Sequence, residues 1–366
     1  MRVEREIAGF AFPFAAGVIA AVLSGGSPCI IKPTYHIIAL AGTSLSALLL
    51  MHPARSKWSL RVQWGIIMLC ALSCGIFIGI AGSEMDVSSI EGNGWVGSFA
   101  ERFGRKMESA IDSISFQDRN TNAIIKALIT GNRSGITQQT AEAFRDSGAS
   151  HILALSGLHL GIIYAIISKL LSLPGNTISI RRTRSVLIVL ACGLYTLATG
   201  AGASITRAYI FIILKETAEM TGRHASLKGI LATALVIHLA SDPTSASDIG
   251  FQLSYAAMLG IAFIFPHLRD VWKNRNRILK KIWESAALSI SCQITTGPIA
   301  YFYFGTFPQY FLLTNLLAIP LAGVIIPAAL LTTIMTAAGW CPDGLVKCTE
   351  WLTQAMLETL NIIASM

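Results

Sequence analysis

The sequence predicts an all-α fold: a polytopic transmembrane helical bundle of about ten spans with a small outward-facing helical segment. Three observations lead there. The 366 residues are 53% hydrophobic and 13% charged, whereas a soluble protein carries about 25% charged residues. Apolar runs of roughly spanning length recur along the whole chain. The loops between those runs alternate in charge.

The runs fall at 7–23, 34–51, 64–82, 152–173, 185–203, 204–219, 229–241, 249–266, 283–304 and 310–338. The first, IAGFAFPFAAGVIAAVL, shows no clear cleavage site before further membrane segments follow, so it reads as a retained span. The run 229–241 is short, and 310–338 is long and expected to break at Pro320 and Pro327. Arg55, Lys57 and Arg61 give one loop a charge of +3, and Arg181, Arg182 and Arg184 do the same for another. HLRDVWKNRNRILKK (267–281) is +5, while DPTSASD (242–248) and the stretch 84–150 are each −2. This alternation agrees with the positive-inside rule when the N-terminus is cytoplasmic. It accounts for most of the net charge of +8 as topology, without a nucleic-acid patch.

The longest stretch between runs is 84–150. It opens on a glycine-rich joint, EGNGWVGSF, and continues into helical material through Met107, Ile111 and Ile114. A second amphipathic helix is expected near 120–130. TGNRSGIT (130–137) is a turn bracketed by Gly131 and Gly135, with Thr137 as N-cap of QQTAEAFRDSG and Gly148 as its end. The tail 350–366 is amphipathic and suits either the interface or the flank of the bundle. Seven cysteines (29, 70, 74, 192, 292, 341, 348) form no CxxC or Cys/His spacing; they read as small packing residues, and no metal is expected.

Chemistry concentrates where polar residues enter the apolar runs. SHILALSGLHLG (150–161) carries His151, Ser156 and His159, with Gly157 and Gly161 forming a Gly-x-x-x-Gly stripe. On one helix Ser156 and His159 share a face. Close packing with hydrogen bonds to neighbouring helices explains them, and so does the lining of a wet path. A serine–histidine nucleophilic pair is a third reading, although no G-x-S-x-G elbow is present. ASITRAYIF (203–211) places Arg207 about a turn into its span, as a snorkelling or a lining residue. DIGFQLSYAAMLG (248–260) carries Gln252 after Asp248, itself a helix cap by type. In QITTGPIAYFYFGTFPQYFLLTNLLAIP (293–320), Gly297-Pro298 is expected to break the helix and Asn315 follows. Its aromatics suit an interfacial belt or a platform for stacking bases.

Together TGNRSGIT, SHILALSGLHLG, SITRA, DIGFQLSYAAMLGI, TTGPIAYFYFGTFP and TNLLAIPLAG, in this order, resemble the competence domain of the ComEC family, the inner-membrane DNA-uptake channel of bacterial transformation. The resemblance covers roughly 120–340. It implies N-terminal transmembrane helices over 1–83, a short extracytoplasmic segment over 84–119, a channel domain over 120–340 and a C-terminal amphipathic helix over 341–366. It further implies passage of single-stranded DNA into the cytoplasm, with Arg133, His151, Ser156, Gly157, His159, Arg207, Gln252 and Asn315 as path-lining candidates. No cofactor is expected. The partners implied are the lipid bilayer, a cytoplasmic ATPase or helicase, a periplasmic DNA receptor and a separate nuclease. Three departures stand out. Residues 84–120 are too few for the family's OB-like domain, the seven histidines hold no HxHxDH cluster, and Ala203 precedes the serine of SITRA where the family usually has proline. A secondary transporter of a small polar solute and an intramembrane serine hydrolase are the alternatives.

Overall fold

The computed structural model describes residues 2–24, 42–43, 60–84, 95–172, 178–222, 226–272, 276–305 and 309–366. The described residues form helices and turns, with no strand among them. They divide into two compact units, Met1–Glu91 with His224–Ala262, and Gly92–Arg223 with Phe263–Met366. The apolar runs of the sequence fall mainly on helix, with 152–173 interrupted at 154–156, and 34–51 lies outside the described residues apart from 42–43. Among the described residues, three helical stretches are long and apolar enough to cross a bilayer: Val62–Gly79, Ile249–Val271 and Phe311–Ala337.

In the first unit, α1 (Arg2–Ser24) and α2 (Leu60–Glu84) pack closely side by side. The closeness has a sequence cause. A Cβ on Gly75 would collide with the Phe14 carbonyl oxygen, and one on Gly17 with that of Leu72. Only glycine lets the two backbones approach so far. Next in this unit come α10 (Leu227–Ser241), a 3-10 turn (Pro243–Ser247) and α11 (Ile249–Leu259). Asp248 caps α11 by accepting from the Phe251 amide at 2.9 Å, as its residue type led one to expect. A π-helical turn, Gly260–Ile264, follows.

The second unit holds α3 (Trp95–Asp112), α4 (Arg119–Thr130), α5 (Gln138–Asp146) and the single-turn α6 (Ser150–Leu153). These are followed by α7 (Gly157–Leu170), α8 (Ile178–Ala198), α9 (Ala203–Met220) and α12 (Phe265–Val271). The last three are α13 (Arg277–Phe304), α14 (Phe311–Ala337) and α15 (Asp343–Ala364). The turn chemistry read from the sequence is present: Gly131 ends α4 in the left-handed region at φ 80°, and Thr137 caps α5.

Helix α14 is the axis of this unit. Its buried face (Ala318, Ala322, Ile325, Ile326) packs on Ile124 and Leu128 of α4, Phe144 of α5, Ile152 of α6, and Met356 and Leu360 of α15. Leu313, Leu317, Val324 and Leu331 are exposed and recur at helical spacing, an apolar stripe suited to hydrocarbon. Two expectations are corrected here. Pro320 and Pro327 lie inside one unbroken helix, and Pro298 likewise lies inside α13. Each proline removes one N–H, and helix packing on both sides keeps the axis continuous, as is common in membrane helices.

Candidate functional site

The motif SHILALSGLHLG does not form the single helix its apolar run suggested. The chain turns through α6, leaves the helix at Ala154–Ser156, and restarts as α7 at Gly157. Ser156 has extended backbone (φ −127°, ψ 173°) and caps α7, its Oγ accepting from the Leu158 amide at 3.3 Å. His159 closes the cap from the other side, its Nδ1 accepting from the Ser156 amide at 3.2 Å. An accepting Nδ1 puts the proton of the neutral imidazole on Nε2. That atom is buried with no hydrogen-bond partner among the described residues. His151 is not on this helix; its Nδ1 lies 3.2 Å from the Gly148 carbonyl, to which it donates.

The break is held from outside. A Cβ on Gly131, in the TGNRSGIT turn, would come within 3.2 Å of the Leu155 side chain. The two motifs therefore meet in space. Tyr195 of α8 donates to the Ile129 carbonyl at 2.6 Å, and the Asn132 side chain donates to Glu108 of α3 at 3.0 Å while accepting from the Ser134 amide. These contacts fix the turn that presents Arg133, which is exposed.

Helices α7 and α9 run parallel: Gly157 faces Ala208, and Tyr164, two turns later, faces Glu216. Their N-termini, each carrying the positive end of a helix dipole, therefore lie at one end. Arg207, 3% exposed, sits in the second turn of α9. The glycine stripe is half of what was expected. A Cβ on Gly157 would lie 3.3 Å from the Ala208 Cβ, whereas one on Gly161 would meet nothing within 4 Å. Gly157 is the contact residue, and Gly161 faces outward.

Asn315 stands on α14, where its Oδ1 is buried without a partner among the described residues, beside Thr314, whose hydroxyl donates to the Ser147 carbonyl at 2.6 Å. Gln252 belongs to the other unit and donates to the Ala246 carbonyl at 3.1 Å. The structure thus joins Ser156 with His159 and sets Gly157 on the helix of Arg207. The Ser156 hydroxyl and His159 Nδ1 are 3.2 Å apart, but Nδ1 is taken by the Ser156 amide and no acceptor among the described residues holds Nε2–H, as a catalytic base needs.

Sequence reasoning missed a larger feature. Helices α3 and α4 form a hairpin along α14, and its tip, with Ser115 and Gln117, shares a small polar cavity with Thr336, Asp343, Lys347 and Glu350. Glu350 Oε1 accepts from the Asp118 amide at 2.7 Å. At its other end α4 reaches the α7 break. Glu101, Arg102, Arg105 and Lys106 of α3 remain exposed. Polar helix faces therefore lie lengthwise beside the most apolar helix of the unit. The signal was the amphipathic period of 95–130, which hydropathy windows average away.

Set against known proteins, residues 128–366 match the competence protein family, and the chain belongs to it. The chain is similar to ComE operon protein 3 of Bacillus subtilis (strain 168), 24% identical over 201 residues, which is 55% of this chain and 25% of that protein. It is similar to competence protein ComA of Neisseria gonorrhoeae, 25% identical over 277 residues, 73% of this chain and 38% of the relative. A third relative, the uncharacterized protein YcaI of Escherichia coli (strain K12), is 24% identical over 226 residues, 60% of this chain and 30% of its own length. The chain thus spans well under half the length of these relatives. No solved structure matches it.

Proposed function

We propose that this competence-family chain carries one strand of DNA across the cytoplasmic membrane during transformation, as a multi-pass channel of about ten spans with a cytoplasmic N-terminus. The observation that carries the reading is the set of charged helix faces laid along α14. Helix α14 has 27 residues and is about 40 Å long, enough to cross the roughly 30 Å of hydrocarbon. Charged groups at that depth need water or partners. The exposed Glu101–Arg105 face of α3, a helix that packs on α14 through Ile111, therefore supports an aqueous passage. A phosphate backbone requires such a passage, because burying its bare charges is prohibitive.

On this reading the paired N-termini of α7 and α9, with Arg207 and the exposed Arg133, draw the strand in. His151, Ser156, His159 and Asn315 supply polar lining without reading sequence. Gly157 sets the helix contact beside them, and Gln252, in the other unit, is a lining candidate taken by itself. A cytoplasmic ATPase or helicase would pull the strand, a periplasmic receptor would deliver it and a separate nuclease would remove its complement.

The test is deletion of the gene, scored for DNA entry into the periplasm and, separately, into the cytoplasm. Labelled DNA is expected to accumulate outside the cytoplasm. Undiminished cytoplasmic entry would remove the reading. The break at Ala154–Ser156 also suits a secondary transporter, whose discontinuous helices meet anionic substrates with their N-termini. Saturable uptake of a small solute into liposomes, without DNA machinery, would favour that alternative.

A further inference from the structure

We propose that Arg181 and Arg184 of α8 form a phosphodiester-binding site, with Glu219 of α9 as the internal anion that the ligand displaces. The proposal deepens the DNA-channel reading and rests on it for the identity of its DNA ligand.

The charge pattern explains why arginines cluster here but not how they are held. Arg181 and Arg182 occupy the first turn of α8, the end where a helix dipole disfavours cations. Arg182 is exposed, as a topology determinant should be, whereas Arg181 and Arg184 fold inward. The Nε atoms of both are buried without a hydrogen-bond partner among the described residues, as is the Ser185 hydroxyl on the same face. Buried donors left unmet are costly, so three on one face describe a site lacking its acceptor. Arg184 spends one Nη on Glu219, at 3.4 Å, a long contact that leaves the rest of its fork unused. The Nη2 of Arg181 lies 3.5 Å from where a Cβ on Gly222 would stand, just beyond the end of α9.

The neighbouring acidic group Glu216 is engaged through Oε1, and its Oε2 is buried without a partner among the described residues. Glu216 is fully buried and accepts from the Tyr164 hydroxyl at 2.7 Å. Lys215 donates to that same hydroxyl at 2.7 Å and sits 4.5 Å over its ring. Among the described residues, Glu219 is the carboxylate that pairs with Arg184. Two guanidinium forks at the junction of α8 and α9, with a single long contact to a carboxylate from Arg184, suit a ligand with two acceptor oxygens on one tetrahedral centre. A phosphodiester has that geometry. It arrives either as a DNA strand or as a phospholipid headgroup, and both sources reach this end of the bundle under the charge-derived topology.

The experiment uses the full chain reconstituted in phosphatidylcholine nanodiscs, with and without phosphatidylglycerol, and measures binding of a fluorescent oligothymidylate across a salt series. Retention of phosphatidylglycerol is followed in parallel by native mass spectrometry. If the ligand is DNA, R184Q and R181Q weaken oligonucleotide binding about tenfold each, and each lowers the salt slope by somewhat under one. E219Q, which removes the competitor, tightens binding several-fold. R184K keeps the charge and loses the fork, so it controls for folding and falls between wild type and R184Q. If the ligand is the headgroup, the same variants change phosphatidylglycerol retention in the same order while oligonucleotide binding stays put. The site then stands although the DNA path lies elsewhere. If neither readout moves in R181Q, R184Q and E219Q, the site does not exist. The deletion assay reports on DNA uptake independently, so failure of the channel reading and failure of this site remain distinguishable.

Discussion

Replacing Gly157 with leucine tests the α7–α9 contact directly. The backbone there tolerates a first carbon only by yielding a few tenths of an ångström, because a Cβ would already sit 3.3 Å from that of Ala208. Leucine adds three more carbons in the same direction, and overpacking of this kind costs about 1–3 kcal/mol or pushes the helices apart. Gly161, one turn along, has nothing within 4 Å of the same Cβ position. Gly161→Leu therefore meets no obstacle and gains somewhat under about 1 kcal/mol from helix propensity. Thermal unfolding in nanodiscs should rank Gly161→Leu at or above wild type and Gly157→Leu below it. Cytoplasmic DNA entry should persist in the first and be lost in the second at equal membrane abundance. Ser156→Ala removes a cap worth about 1 kcal/mol and should reduce entry only in part. Equal damage at both glycines would refute the packing account. Complete loss of function in Ser156→Ala, at normal stability, would move the motif toward nucleophilic chemistry.

The other predictions concern packing and sidedness. Gly75→Ala forces a methyl onto the Phe14 carbonyl and should destabilise the α1–α2 pair by about 1–3 kcal/mol, read as a lowered unfolding temperature; an unchanged one would mean that the helices stand farther apart. Glu350→Ala strands the Asp118 amide, whose hydrogen bond is 2.7 Å long, and should cost about 1–3 kcal/mol. Glu350→Gln keeps an acceptor and should cost clearly less, so equal losses would show that the charge matters and not the bond. In spheroplasts of a strain free of native cysteines, an impermeant maleimide should label Arg133→Cys and spare Lys281→Cys, both exposed positions. The opposite pattern would invert the topology and with it the direction of transport.

What could be read in advance follows the range of the forces involved. Local rules held. Thr137 and Asp248 cap the helices they precede, Gly131 takes the left-handed turn that α4 needs to end, and the apolar runs within the described residues are mainly helical. The break before Gly157 was hidden because Ala154 and Leu155 are as apolar as their neighbours. Only the Ser156–His159 capping pair marks a helix start, and in the sequence it looks equally like a polar face. The prolines of α14 erred the other way. Taken alone each should end a helix, but the packing of Ala318, Ala322 and Ile326 on either side of them outweighs one missing hydrogen bond.

The lengthwise placement of α3, α4 and α15 against α14 is the least legible element and the most consequential. Hydropathy sorts segments by average, so 95–130 and the tail look like matter outside the membrane. Their apolar faces, through Ile111, Ile124, Ile125, Leu128, Met356 and Leu360, are nevertheless fully buried, and what buries them is the flank of α14. An amphipathic helix that docks its apolar stripe on a spanning helix turns its polar side away from it. For α3 that side carries Glu101 and Arg105, joined as an i, i+4 pair at 3.6 Å, with Arg102 and Lys106 on the same turn. Such a surface is stable beside hydrocarbon only where water accompanies it. On the proposed channel reading, a chain of low average charge gains a hydrated surface by setting its few charged helices against its most apolar one.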